Sequence, residues 1–264
     1  MTIFIAVVSA KGGVGKTTTT INLTHALASF WRSIIAVDTD MTAPNLSIHL
    51  GITKYPKTIH HVLNNEAHIE DAIYQHQSGM MVIPGSVAYD HATTTPIARL
   101  KDVIPMLNGK AEIVNLDSAP GLGEEAQTTI GLSDYAIVIV TPDLAAVSDA
   151  RKSVKLIKNL NKKVLGVIIN RTHPTDELSQ EEVEAFLETP ILGTVPDDFY
   201  VRSAYKLKSP VSYAHPESVV TGHYKKIAAA IIGEPYKENI PEKKQESFFH
   251  YLKEGILGGQ NEHH

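Results

Sequence analysis

Ser9-Ala10-Lys11-Gly12-Gly13-Val14-Gly15-Lys16-Thr17-Thr18 is the stretch on which the reading of this chain turns. It follows the apolar run Ile3 to Val8. It leads into Thr17 to Phe30, where Ile21, Leu23, Ala26, Leu27 and Phe30 recur at nearly helical spacing. Glycines between a buried strand and a helix let backbone N–H groups turn toward phosphate oxygens, and the helix N-terminus adds partial positive charge. Gly12, Gly13, Val14, Gly15 and Thr18 belong to this cradle, Lys16 is placed to reach the β- and γ-phosphates, and the Thr17 hydroxyl to ligate Mg²⁺. A bare glycine turn would share the shape, but Gly15-Lys16-Thr17 in this context favours a nucleotide, so ATP or ADP with Mg²⁺ is expected.

Outward from the loop, short apolar runs alternate with helical patterns. Further strands are expected over Ser33 to Val37, Met80 to Ile83, Ile113 to Leu116, Tyr135 to Val140, Val164 to Ile169 and Ile191 to Val195. Helices are expected between most of them, including Ala146 to Leu160 and Gln180 to Leu187. Continuous apolar strands separated by helices imply an α/β fold, a mostly parallel sheet with helices on both faces in three layers. This domain is expected over 1–233. A Pro-, Glu- and Lys-rich linker follows over 234–245, then a tail over 246–264.

Composition removes several classes of function. With 43% apolar and 20% charged residues the chain reads as a soluble globular protein, and a net charge of −5 does not call for a nucleic-acid partner. The absence of cysteine excludes disulfides, thiol catalysis and Cys-ligated metals. Met1 to Val8 lacks a basic leader and no stretch approaches a membrane span, so an intracellular location is expected. The 13 histidines are scattered; His60, His61, His68 and His76 show no convincing ligand spacing, and no metal site is expected there.

Two acidic segments complete the candidate site. Ser33 to Val37 runs into Asp38-Thr39-Asp40, and Ile113 to Leu116 into Asp117-Ser118-Ala119-Pro120-Gly121. Carboxylates at strand C-termini lie beside the first strand's loop, where open α/β sheets bind ligands. An aspartate after an apolar strand suits the Mg²⁺ shell, although Asp40 and Asp117 are also good turn-capping residues.

Ala10 stands where the ordinary phosphate loop has glycine, and Lys11 is an additional cation. With Asp38-x-Asp40 and Asp117-Ser-Ala-Pro-Gly, the pattern resembles the deviant phosphate loop of the MinD/ParA family, over roughly 1–233, and is closest to MinD-like members. The resemblance implies an ATPase in which Lys11 crosses an ATP-sandwiched homodimer to the partner's phosphates. It implies that Asp40 positions the attacking water and that Asp38 and Asp117 support Mg²⁺ with Thr17, so the catalytic set is Lys11, Lys16 and Asp40. Asn45 and Leu46 match the first switch, and Asp149, after Thr141-Pro142-Asp143, matches an aspartate that meets the signature lysine. Asn170-Arg171 and Pro196-Asp197 match segments around adenine.

In the tail, Phe248, Phe249, Leu252, Ile256 and Leu257 fall near one helical face. This resembles the family's short membrane-targeting helix, although Glu246 and Glu254 oppose its lysines; docking on the chain's own surface or on a partner stays open. The resemblance implies a cytoplasmic protein that reversibly binds the inner face of the membrane in its ATP state, with a regulatory protein partner. A ParA-like partition ATPase binding DNA non-specifically is the alternative, disfavoured by the net charge. The scaffold ATPases of iron–sulfur assembly fit poorly without cysteine.

Overall fold

The computed structural model describes residues 2–52 and 57–236. Its strands are β1 (Ile3–Val8), β2 (Ile34–Thr39), β3 (Tyr74–Gln75), β4 (Met81–Ile83), β5 (Ile113–Ser118), β6 (Tyr135–Val140), β7 (Lys163–Thr172) and β8 (Ile191–Pro196). They form one sheet in the order β3-β4-β2-β5-β1-β6-β7-β8. Every pairing is parallel except β3 with β4, where Tyr74 faces Val82 in antiparallel register. The helices are α1 (Lys16–Ala28), α2 (Leu46–Leu50), α3 (Ile59–Leu63), α4 (Tyr89–Thr94), α5 (Leu100–Val103), α6 (Glu124–Leu132), α7 (Leu144–Asn159), α8 (Gln180–Leu187), α9 (Phe199–Lys206), α10 (Val211–Ala214) and α11 (Val219–Ile232).

Strands buried on both faces need apolar residues at every position rather than alternate ones, which is why β1, β2 and β5 read as continuous runs. Ile5 and Val7 of β1 join Leu23 and Leu27 of α1 and Tyr224 and Ile227 of α11 in one core. Ala6 and Val8, pointing the other way, join Ile130 of α6, Val147 and Val154 of α7 and Val183 of α8. Ile35, Val37, Val114 and Leu116 bury against Ile59 and Leu63 of α3 and Leu100 and Val103 of α5. Helices thus cover both faces, and the three-layer expectation holds.

The strands run further than their apolar stretches. β2 continues through Asp38-Thr39 and β5 through Asp117-Ser118, because the ladder still pairs Asp38 with Asp117 and Thr39 with Ser118. β7 extends to Thr172 and carries Asn170 and Arg171 within it, paired to β8. The short edge strand β3 and the small helices α2 to α5 carry no long periodic pattern and were not foreseen. Helix α1 begins at Lys16 rather than Thr17 and ends two residues before Phe30, with Ser29 as its C-cap. Helix α11 ends at Ile232, with Gly233 turning left-handed at φ 72°. The tail and all but the first three residues of the expected linker lie outside the described residues.

Two buried amides tie α1 to its surroundings. Asn115, which interrupts the apolar run of β5, donates through Nδ2 to Thr24 Oγ1 at 2.9 Å. Asn22 accepts the Val211 N–H at 2.6 Å and donates to the Thr18 carbonyl at 2.8 Å, joining α1 to the start of α10. Removing a partner from a buried N–H costs about 1–3 kcal/mol. Asn22→Ala is therefore expected to lower unfolding free energy by about 2 kcal/mol, read by urea denaturation. An unchanged midpoint would show that water replaces the amide.

Candidate active site

The loop between β1 and α1 works because two glycines occupy left-handed backbone, Gly13 at φ 81° and Gly15 at φ 92°. Gly15 is also hemmed in: a Cβ there would lie 2.2 Å from Asn170 Nδ2. That amide donates to the Val14 carbonyl at 2.7 Å, so Asn170 holds the loop from β7. Val14 meanwhile buries its side chain in the core beside α1. The loop opens onto a cavity of about 280 Å³ lined by Ser9, Gly12, Gly13, Gly15, Lys16, Thr17 and Thr18, with Asp40, Asn45, His49, Pro120 and Arg171.

Sheet order brings the acidic segments to this cavity, since β5 lies between β1 and β2. Lys16 Nζ sits 3.1 Å from Asp117 Oδ1, which also accepts from Thr20 Oγ1 at 2.9 Å. Asp38 is fully buried and spends its carboxylate on the backbone: it accepts from the N–H groups of Asp40 at 3.2 Å, Asn45 at 2.9 Å and Leu46 at 3.0 Å. Asp38 therefore shapes the loop that carries Asp40 and caps the start of α2. Asn45 and Leu46 enter the site through their backbones. Asp40 accepts from the Ala43 N–H at 2.9 Å and is only 6% exposed.

Burial, then the neighbouring Asp117, pushes the Asp38 carboxyl well above the usual carboxylate range. Burial also raises Asp40, to about 6, against the opposing pull of the Ala43 N–H and Lys16. Asp38, Asp40 and Asp117 are buried around Lys16, the one buried lysine among the described residues. Their carboxylate oxygens with the Thr17 hydroxyl are the hard oxygen donors that fit Mg²⁺.

A second cavity of about 190 Å³ adjoins the first. It is lined by Gly15, Thr18, Asn170, Arg171, Pro196, Asp197, Val201 and Arg202. All four residues matched to the adenine segments thus meet in one place, at the C-terminal ends of β7 and β8. Asn170 spends one of its two amide N–H donors on the Val14 carbonyl, leaving its oxygen and the second N–H. Lys11 is exposed and does not line the phosphate cavity. The carboxylate that feels its charge is Asp143, the N-cap of α7: burial raises Asp143, but bonds from Thr141 and the Ala146 N–H, then Lys11, outweigh it and hold it low. Asp149 pairs with Lys152 at 2.8 Å one turn along α7.

The sequence reading missed Glu125. Its carboxylate accepts from the Met41 N–H at 3.1 Å and the Thr42 hydroxyl at 2.5 Å, tying α6 to the Asp40 loop. His49 and Pro120 in the phosphate cavity, and Val201 and Arg202 in the second, were also missed. Pro120 lies in the Asp117-Ser118-Ala119-Pro120-Gly121 segment already quoted, whereas His49, Val201 and Arg202 come from segments with no motif of their own, and only the fold brings them in.

A glycine cradle at a helix N-terminus, a buried lysine and strand-end carboxylates define a P-loop nucleotide hydrolase. The ParA family, described as NUBPL iron-transfer P-loop NTPase, matches residues 1–232. An uncharacterised ATP-binding protein of Methanocaldococcus jannaschii is 35% identical over 98% of each chain. The cell division ATPase MinD of Pyrococcus furiosus is similar in structure, with a TM-score of 0.84 and 33% identity over 88% of this chain and 99% of that one. The septum site-determining protein MinD of Pyrococcus horikoshii, solved with Mg-ADP, gives the same score and identity over 88% and 96%. The chain belongs to the ParA family, as an ATPase of the MinD-like kind that uses ATP or ADP with Mg²⁺.

A carboxyl raised by burial destabilises the fold wherever it is ionised. Between its unfolded value and about 6, the folded state keeps a proton that the unfolded state releases, so stability falls as pH rises through that window and is level above it. Asp40→Asn removes this loss and keeps an acceptor for the Ala43 N–H. It is expected to be more stable than the parent by about 1–3 kcal/mol at pH 7.5, and nearly equal to it near pH 4. Urea denaturation at both pH values checks this, and a gain independent of pH would refute the cause.

Proposed function

We propose that this chain is an ATP-dependent dimerisation switch of the MinD type, holding the membrane in its ATP state, released by hydrolysis, and used in spatial positioning. The observation that carries the reading is Lys11: it stands in the phosphate loop yet outside the lining of its own cavity, exposed where a second subunit can be met.

In this reading Lys16 neutralises the β- and γ-phosphates and exchanges its contact with Asp117 for them. Thr17 and Asp117 hold Mg²⁺, which when bound neutralises phosphate oxygens. Asp38 fixes the loop so that the Asp40 carboxylate stands over the cavity and orients the attacking water. Arg171, Pro196 and Asp197 frame the base. Lys11 of each subunit completes the partner's phosphate site, so the ATP state is the dimer. Among the described residues no helix is long and apolar enough to cross a membrane. Attachment is assigned to the tail, whose weak apolar face is doubled in the dimer. A regulatory protein would act by accelerating hydrolysis.

Asp40→Ala is expected to bind Mg-ATP and lose at least 100-fold in turnover, and Lys11→Ala to bind nucleotide without dimerising. Turnover of the parent should fall about tenfold for each pH unit below about 6, as Asp40 takes up its proton. Steady-state ATPase assays with light scattering check all three, and normal turnover in Asp40→Ala would remove that residue from catalysis. Co-sedimentation with anionic liposomes is expected in ATP, not in ADP, and not after deletion of residues 246–264. Retention on DNA that needs ATP and weakens with salt would instead favour a partition ATPase.

A further inference from the structure

Away from the nucleotide, the fold gathers three metal-binding groups that sequence spacing kept apart. One ring nitrogen each of His61 and His91 and one carboxylate oxygen of Glu66 lie within 4.8 Å of one another. Helix α3 ends at Leu63, and Asn65 then turns left-handed at φ 63°. The turn folds the chain back so that the Glu66 N–H donates to the His61 carbonyl at 2.8 Å. His91 arrives from α4, its ring edge-on to His61 with centroids 4.9 Å apart.

A second, independent observation points to a ligand. Nδ1 of His91 is shut off from solvent and has no hydrogen-bond partner among the described residues. A ring nitrogen stripped of water is left unsatisfied unless something bonds to it, and a metal ion does so. We propose that His61, Glu66 and His91 form a binding site for a divalent transition metal of the zinc type. Two imidazoles and one carboxylate suit zinc with an open fourth position, and do not suit Mg²⁺ or Ca²⁺, which take oxygen ligands.

The surroundings fit this assignment. His61 Nδ1 lies 2.8 Å from Thr58 Oγ1, so with a metal on Nε2 the Nδ1–H would donate there and fix the ring. Binding gives up the contact between Nδ1 and the Thr58 N–H at 3.1 Å. Ligand atoms on one tetrahedral zinc ion stand about 3.3–3.5 Å apart, so the group, within 4.8 Å here, must draw in by about an ångström, a movement open to the exposed Glu66 side chain. His60 is not a ligand, because both its nitrogens are used: Nδ1 accepts from the Ser86 N–H at 3.0 Å, and Nε2 bonds the Met41 carbonyl at 3.0 Å. Its ring stacks on His91 with centroids 5.9 Å apart. The site therefore clasps α3 to α4 one ring behind the loop that carries Asp40.

The test uses the full chain with His263→Ala and His264→Ala, which removes the adjacent terminal pair. The protein is stripped with chelator and titrated with zinc chloride and with magnesium chloride by calorimetry. One zinc per chain is expected, with affinity at least tenfold lower in Glu66→Gln and in His91→Ala and unchanged in His68→Ala; excess magnesium should not displace it. Glu66→Gln alters an exposed side chain, so its result stands even where His91→Ala fails to fold. Absence of zinc binding, or binding of the same affinity in Glu66→Gln, overturns the site.

Discussion

The constraint behind the whole nucleotide end of this molecule is the crowding of carboxyl groups where β2 and β5 end. Parallel register sets Asp38 beside Asp117, and the cavity adds Asp40 within a few residues. Water cannot screen them, because the sheet is covered on both faces and all three are buried. The protein answers with one ammonium, from Lys16, and with backbone N–H groups at Asp40, Ala43, Asn45 and Leu46. The remaining excess of negative charge is what makes the cavity a place for Mg²⁺ and, through it, for a phosphate chain.

The same crowding explains why so many supports converge on a few atoms. The loop glycines can approach a phosphate only while Asn170 holds the Val14 carbonyl from the neighbouring strand. The Asp117 backbone carbonyl accepts from Thr39 Oγ1 at 2.8 Å, so β2 and β5 cannot separate at their charged ends. The Gly121 N–H donates to the Ser9 carbonyl at 2.9 Å, which joins the turn after β5 to the phosphate loop itself. Each bond alone contributes about 1 kcal/mol. Together they keep opposed charges at working distance in a region that would otherwise spread apart.

Much of this was legible in the sequence, for reasons that lie in individual residues. Ile, Phe, Ala and Val filling every position of Ile3 to Val8 read as a strand that could be buried on both faces, and Gly15-Lys16-Thr17 after it points to a phosphate loop. Asp38 and Asp117 were placed because they follow such strands. What their side chains bond to was not legible: whether Asp38 faces a metal or its own loop depends on how Asp40 to Leu46 folds back, which no periodicity records. Lys11 and Asp143 illustrate the same limit. Which acidic residue near the start of α7 feels the lysine's charge depends on the fold: Asp143, the N-cap, does, while Asp149, a turn and a half further on, pairs with Lys152. The histidines between 60 and 91 were read as scattered for lack of a linear spacing. A left-handed Asn65 and the approach of α4 bring His61, Glu66 and His91 together across the chain.

The loop that carries Asp40 is held from three independent directions. Asp38 grips it from β2, Glu125 grips Met41 and Thr42 from α6, and His60 holds the Met41 carbonyl from α3. Glu125 lies only a few residues beyond Gly121, whose own anchor is the phosphate loop. A change at the phosphates can therefore reach the Asp40 loop by two routes: directly through Lys16 and Asp117, or through Ser9, Gly121 and the start of α6. Each grip is only one to three hydrogen bonds, few beside the ladder of the sheet beneath it. A difference of a few kcal/mol between bound states is enough to move such an equilibrium almost completely. That is the energy scale of the contacts gathered at the junction of β2, β5 and α6.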